Sequence, residues 1–176
     1  MAATAPDSLV EITVPYQNRP LEPPSPERVR RLRRHLLESL HDLRAAERPD
    51  RLVQPRAPKP SEDVAAVLRA GCAACQGHCC LGGGEHAWLD ERTMARVRRE
   101  RPELNAPNLI AAYVRQVASL SYAGSCLFHG AAGCTLDPGL RAELCSSYYC
   151  NGLQSFLDRP PNQSQSSPRV VIRLRQ

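Results

Sequence analysis

Cysteine is the residue type in this chain whose number and spacing could do chemistry. All eight cysteines lie between residues 72 and 150. They form two blocks, Cys72, Cys75, Cys79 and Cys80 followed by Cys126, Cys134, Cys145 and Cys150. A pair spaced like Cys72-Ala-Ala-Cys75 lets two thiolates reach one metal ion. The sequence therefore makes all eight cysteines candidate metal ligands.

The N-terminal residues bear on whether these thiols are reduced. Residues 1–10 contain neither the basic stretch nor the apolar core of a secretion signal. No apolar run approaches the roughly 18 residues that span a bilayer. We therefore expect a cytoplasmic protein with no membrane contact, in which clustered thiols bind metal rather than form disulfides. Disulfides are the alternative if the chain is exported by another route.

The spacing within the first block predicts which thiols share a metal. Cys79 follows Cys75 after three residues, so Cys72, Cys75 and Cys79 can act as a unit from one loop. Because adjacent side chains tend to point apart, either Cys79 or Cys80 is expected to serve a second metal or none. The second block supplies the fourth ligand or a whole second set. Eight thiolates suffice for two four-thiolate sites, or for one cluster with spare cysteines.

Several other residues near the cysteines could take part. Gly82–Gly84 suits close backbone approach to a cluster, with a flexible turn as the alternative. His78 and His129 lie inside the two blocks and could each replace a thiolate, although loop histidines are often bystanders. Arg141 and Asp137 could support the ligands or form ordinary surface pairs. The remaining candidates are predicted to be surface or structural residues: His35 and His41 on the surface, His86 near Trp88, and Tyr148 and Tyr149 in the core.

The order of the cysteines resembles that of the YkgJ-type cysteine-cluster family, described as a zinc- or iron-chelating domain. That family has Cys-x2-Cys-x3-Cys-Cys, then Cys-x-aromatic and a further Cys, then Arg-Pro-x2-Cys-Arg-x-aromatic-x-Cys. The corresponding segments here are residues 72–80, Cys126-Leu-Phe128 with Cys134, and residues 141–150. Ala142 stands where the family has proline, and Ser146 where it has arginine.

The resemblance implies a metal centre bound through the cysteines, either a [4Fe–4S] cluster or zinc, since thiolates suit both. Because members of the family are often described as iron–sulfur oxidoreductases, the resemblance favours the cluster, with a redox role. Three functions stay open. The first is a redox or cluster-carrying protein, and the second is a zinc-stabilised module that binds protein or nucleic acid without catalysis. The third is an iron–sulfur oxidoreductase-like enzyme whose substrate site the sequence does not locate.

Length and composition predict the fold class. The chain has 176 residues, 16 prolines and 5% aromatic residues, which indicates one domain with extensions and a modest core that metal ligation would stabilise. We expect a mainly α, small, irregular, cysteine-rich metal-binding domain with a short pair of terminal β-strands. The net charge of +5 is weak evidence for nucleic acid, so a protein or redox partner is expected instead. The predicted segments are an N-terminal extension (1–60), the cysteine-cluster metal-binding domain (61–158), and a polar loop with a C-terminal strand (159–176).

Capping residues predict the helices. Ser25 followed by Pro26 begins a basic amphipathic helix that ends near Pro49, with a proline-rich linker after it. Ser61 begins a helix that Gly71 is predicted to end. The other predicted elements are helices after Asp90 and Asn105, a loose loop at 159–168, and strands at 9–14 and 169–174 that could pair. The arginines of the first helix are expected to be solvated, with a surface for an acidic partner as the alternative.

Overall fold

The computed structural model describes residues 9–46, 60–158 and 169–175. About half of these residues are helical, with a few short strands, so the mainly α prediction is confirmed at this level. The linker predicted before Pro60 and the loop predicted at 159–168 lie outside the described residues.

The chain divides into two compact units, each built from separate stretches of sequence. Unit 1 comprises residues 1–18, 58–78 and 149–176, and unit 2 comprises residues 19–57 and 79–148. These divisions differ from the sequence segments 1–60, 61–158 and 159–176, which stay a prediction.

Unit 1 combines a two-stranded parallel sheet with two helices. Its elements are β1 (Leu9–Pro15), α2 (Glu62–Ala74), α6 (Asn151–Asp158) and β6 (Arg169–Arg175). The strands pair in parallel from Leu9 opposite Arg169 to Pro15 opposite Arg175, so the predicted terminal pair is confirmed. The alternation of β1 turns its apolar side chains inward, where they form a core with both helices. This core contains Ile12, Val14, Leu68, Cys75, Leu153 and Phe156.

Two glycines allow the elements of unit 1 to approach closely. The prediction that Gly71 ends its helix is wrong, because α2 continues to Ala74. A Cβ on Gly71 would lie 2.6 Å from the Leu153 side chain, so the glycine makes room for α6. Gly152 of α6 lies directly against the backbone carbonyl of Thr13 in β1. Both positions serve helix packing rather than helix termination.

Unit 2 is built from helices and irregular loops. The helices are α1 (Pro26–Ala45), a 3₁₀ helix (His78–Gly83, of which His78 belongs to unit 1), α3 (Glu91–Glu100), α4 (Ala106–Arg115) and α5 (Glu143–Ser147). The three caps predicted in unit 2 are confirmed: the side chains of Ser25, Asp90 and Asn105 accept the backbone N–H groups of Arg28, Thr93 and Asn108. In unit 1, Ser61 is the N-cap residue of α2 but its side chain makes no capping bond.

The core of unit 2 gathers the apolar faces of these helices. The buried face of α1 consists of Leu32, Leu36, Leu40 and Leu43, whereas Val29 is half-buried. They pack with residues of α3, α4 and the later loops, including Met94, Val97, Leu109, Tyr113, Leu127, Phe128 and Leu140. No helix in the described parts of the chain is long and apolar enough to cross a bilayer.

Four two-residue strands of unit 2 were not predicted. They are β2 (Leu21–Glu22), β3 (Ser121–Tyr122), β4 (His129–Gly130) and β5 (Gly133–Cys134). β2 pairs with β3 and β4 pairs with β5, both antiparallel. The second of these pairs brings the Cys134 backbone opposite His129.

Candidate metal centre

Unit 2 contains five of the eight cysteines, and its backbone joins the segments that hold three of them. Cys79 and Cys80 lie on the 3₁₀ helix, and Cys126 lies in the loop after β3. The Cys126 N–H donates to the Cys80 carbonyl at 3.0 Å, and the Leu127 N–H donates to the Gly84 carbonyl at 3.1 Å. These two bonds tie the glycine-rich segment to the Cys126 loop.

The glycine triplet at 82–84 permits this approach. A Cβ on Gly83 would lie 2.9 Å from the Cys126 Cβ, and a Cβ on Gly82 would lie 3.0 Å from the Trp88 ring. Gly84 has a positive φ of 44°, which a glycine adopts without strain. The triplet is therefore a close-approach segment beside a candidate ligand.

Two arginines hold the segments of Cys134 and Cys145 through backbone carbonyls. Arg141 donates from Nε to the Leu136 carbonyl at 2.8 Å, and its guanidinium also reaches the Cys134 carbonyl at 3.3 Å. Arg96 is buried and donates to the carbonyls of Gly139 and Arg141 at 2.9 and 2.5 Å, just before α5. Arg141 therefore contacts the backbone of the segment that carries Cys134, and whether it supports a metal ligand stays a prediction. The sequence did not indicate Arg96, which lies among the apolar residues of α3.

The five thiols of unit 2 influence one another electrostatically. The pKa of Cys126 is raised to about 12, chiefly by burial and to a smaller extent by Cys134 and Cys145. Desolvation by the surrounding protein raises the pKa of Cys145 to about 11, with added effects from Cys134 and Cys79. The Cys80 pKa is raised first by its hydrogen bond with Cys79 and by burial, then by Cys126 and Cys134. Every one of the five thiols therefore interacts with at least two others.

The adjacent thiols of Cys79 and Cys80 form the tightest of these pairs. The expectation that their side chains point apart is wrong, because the two thiols are hydrogen-bonded to each other. That bond favours the Cys79 thiolate and lowers the pKa of Cys79 to about 7. The pair therefore presents one thiol that ionises readily beside one that stays protonated.

The remaining cysteines, Cys72, Cys75 and Cys150, belong to unit 1. Cys72 lies in the last turn of α2, and Cys75 is the C-cap residue whose thiol donates to the Cys72 carbonyl at 3.3 Å. Cys75 is part of the apolar core, and Cys150 packs against that core. The first cysteine block is thus divided, with Cys72 and Cys75 in unit 1 and Cys79 and Cys80 in unit 2.

The ligand geometry of a metal site is not assembled in the described residues, which include all eight cysteines. No three or more His, Cys, Asp or Glu side chains among them are arranged to hold a metal ion. All eight cysteines are thiols rather than disulfides. The donor set fits a thiophilic metal, because thiolates select zinc and iron–sulfur clusters. Convergence of the side chains would have to accompany binding.

The histidines differ in their surroundings. His129 is 2% exposed, its Nδ1 lies 2.8 Å from the Ser125 hydroxyl, and its ring packs on Tyr122 at 4.7 Å. The prediction that His35 is a surface residue is wrong, because it is half-buried and its Nε2 is hydrogen-bonded to the Leu89 carbonyl. His41 is exposed as predicted.

Two further expectations concern aromatic residues and neighbours of the thiols. His86 has the predicted structural role, since its Nδ1 accepts the Trp88 N–H at 3.0 Å. Tyr148 was expected in the core but is 50% exposed, whereas Tyr149 packs against the core of unit 1. Asp137 forms an ion pair with Arg101 at 3.0 Å, which is the ordinary pairing considered from the sequence.

No protein-family profile, curated protein or solved structure matches this chain. The likeness of its cysteine order to the YkgJ-type pattern therefore stays a prediction.

Proposed function

We propose that the chain binds a metal centre through the thiols of unit 2, with a [4Fe–4S] cluster as the favoured group and a redox role. The proposed ligands come from Cys79, Cys80, Cys126, Cys134 and Cys145. The observation that carries the proposal is the backbone bond from the Cys126 N–H to the Cys80 carbonyl at 3.0 Å, which joins two of the segments that hold these thiols within one unit. The effects of the five thiols on one another's pKa are consistent with it. Four thiolates complete either a cluster site or a zinc site, so this set contains one more thiol than is needed.

The protonation of the thiols is more consistent with ligands for a bound cation than with reactive surface cysteines. Cys126 and Cys145 have raised pKa values of about 12 and 11, so they are neutral at pH 7. A bound metal replaces their protons, and its binding free energy then stabilises the fold. Once those protons are displaced, the resulting thiolates would repel one another, and a shared cation would offset that repulsion.

The residues around the thiols would hold and shield the group. Gly83 brings its backbone close to Cys126, and backbone N–H groups near thiolate sulfurs would tune a bound cluster. Cys79, Cys134 and Cys145 each retain solvent-exposed surface, whereas Cys126 is buried. One side of the thiol set is therefore open to an electron donor or acceptor.

Purification of the full chain without oxygen, followed by iron, sulfide and zinc analysis, tests the proposal. We expect a brown protein with about four iron and four sulfide per chain, whose visible absorption bleaches with dithionite. Trp88 is the single tryptophan and lies against the glycine triplet, so its emission should be quenched when the cluster is present. Protein that contains neither iron nor zinc after anaerobic preparation would refute the proposal.

The zinc-stabilised interaction module is the second candidate. Arg33 and Arg34 lie on the exposed side of α1, opposite leucines that the core buries. Such a basic face suits an acidic protein partner. A colourless anaerobic preparation with one zinc per chain, in keeping with the tetrahedral four-thiolate preference of zinc, would favour this function over a redox role.

A further inference from the structure

Arg28 differs from the exposed arginines around it on α1. Its side chain is 13% exposed, whereas that of Arg30 is 66% exposed and pairs with Glu27 of the same helix. The Arg28 Nε lies 2.8 Å from a Glu85 carboxylate oxygen, and its guanidinium also donates to the Ser125 carbonyl. One guanidinium therefore bridges two loop segments that are far apart in sequence.

These two segments are the ones that carry candidate ligands. Glu85 directly follows the glycine triplet after Cys80, and Ser125 directly precedes Cys126. The backbone bond from Cys126 to the Cys80 carbonyl joins the same segments. Arg28 thus adds a side-chain bridge beside that backbone bridge.

The position of Arg28 within its helix goes against local preference. It is the third residue of α1, where the helix macrodipole disfavours a cation and favours an acid such as Glu27. A residue that breaks a local rule while making buried tertiary contacts usually serves a purpose beyond the helix itself. The contacts to Glu85 and Ser125 supply that purpose.

We propose that Arg28 is a positioning residue of the metal centre, which holds the Cys80 and Cys126 segments together and places positive charge beside the thiolates. The inference rests on the proposed function, since it concerns the same five thiols. Four thiolates around a divalent ion carry excess negative charge, and a nearby guanidinium compensates part of it. Arg31 also contacts Glu85, at 3.0 Å, but it is 46% exposed and has no bond to the Cys126 segment in the described structure.

Zinc titration of the full chain tests this role, with Zn²⁺ as the probe and a chromophoric chelator as competitor under reducing, oxygen-free conditions. The variants are Arg28→Gln, which removes the charge, Arg28→Lys, which keeps the charge without the two-pronged contact, and Arg30→Gln as the matched control. Melting curves of the zinc-free proteins accompany each titration. They separate weaker metal binding from loss of the fold.

We expect Arg28→Gln to weaken zinc binding by about tenfold or more, as is common when a residue supporting the ligands is lost. Arg28→Lys should recover part of the affinity, and Arg30→Gln should match the wild type.

Equal affinity in Arg28→Gln and Arg30→Gln would overturn the role of Arg28 while leaving the metal centre standing. Absence of zinc binding in the wild type would overturn the metal centre and the inference with it. Unfolding of both zinc-free Arg28 variants would make Arg28 a structural residue and overturn its positioning role.

Discussion

The two units use cysteine in different ways. In unit 1, Cys75 lies in an apolar core with Leu68 and Phe156, and Cys150 packs against that core. In unit 2, Cys126 is joined with four other thiols in an electrostatic network, next to a glycine segment that allows close approach. Free cysteine behaves as a small hydrophobic residue when it is packed and as a ligand when thiols are gathered.

The difference shows that spacing alone does not decide the surroundings of a cysteine. Cys75 and Cys79 are only four residues apart, yet they belong to different units. A core cysteine should matter for stability, and a gathered one for metal binding.

The largest effect is expected at Cys126. Cys126→Ser should remove most of the bound metal, because a hydroxyl is a poor ligand for a thiophilic metal. Cys75→Ser is the matched control, since Cys75 is also buried but lies in unit 1. It should lower stability while leaving the metal bound, as measured by metal analysis of both purified variants. Full metal content in Cys126→Ser would contradict a ligand role for Cys126. Metal loss in Cys75→Ser alone would instead favour the shared Cys72, Cys75 and Cys79 site expected from spacing.

A second large effect is expected at Gly152, and it concerns the stability of the fold rather than metal binding. The Cβ of Gly152→Ala would meet the Thr13 carbonyl, so α6 and β1 must move apart. We expect a loss of about 1–3 kcal/mol or more in the free energy of unfolding, measured by urea denaturation. Gly130→Ala is the control in unit 2, because the nearest atom to its Cβ is 3.5 Å away. Equal stability of the two variants would show that the helix and strand are not packed as described.

An intermediate effect is expected at Gly83. A Cβ there would lie 2.9 Å from the Cys126 Cβ, which pushes this candidate ligand away from its neighbours. Gly83→Ala should weaken metal binding by about tenfold, similar to other changes beside metal ligands. Chelator competition measures the change, with Gly130→Ala again as the control. Unaltered affinity would mean that the glycine triplet is only a turn.

The smallest effect is expected at the surface pair of unit 1. Arg173 holds Glu11 through two hydrogen bonds of 3.1 and 2.8 Å, and this contact lowers the pKa of Glu11. Any stabilisation from a lowered carboxyl pKa is present above its unfolded value and disappears as the pH falls through the folded value. Because the pair is exposed, Glu11→Gln should leave the melting temperature at pH 7 unresolved from the wild type. A clear drop would indicate that the strands depend on this pair.

Local signals explain which parts of the fold could be predicted. The caps at Ser25, Asp90 and Asn105 are set by neighbouring residues, and all three were confirmed. Gly71 was misinterpreted, because its role is contact with Leu153, 82 residues later. The two-residue strands carry no periodicity that a sequence pattern could reveal.

The candidate site was predictable in residue type but not in grouping. The eight cysteines are evident from the sequence, whereas the division of the first block between two units depends on long-range packing. Arg28 was grouped with the solvated arginines of α1, and its position in the first helical turn was the only available sign of a different role. His35 was misjudged for a similar reason, because its partner Leu89 lies 54 residues away.

Mass-mapped alkylation of the cysteines, with and without bound metal, tests most directly whether the thiols of unit 2 form the metal centre. The wild-type chain is labelled after anaerobic preparation and again after the metal is removed. We expect metal to suppress labelling of Cys79, Cys134 and Cys145, which have exposed surface, while the exposed Cys72 is labelled equally in both states. Suppressed labelling of Cys72 together with unchanged labelling of Cys134 and Cys145 would contradict a centre in unit 2.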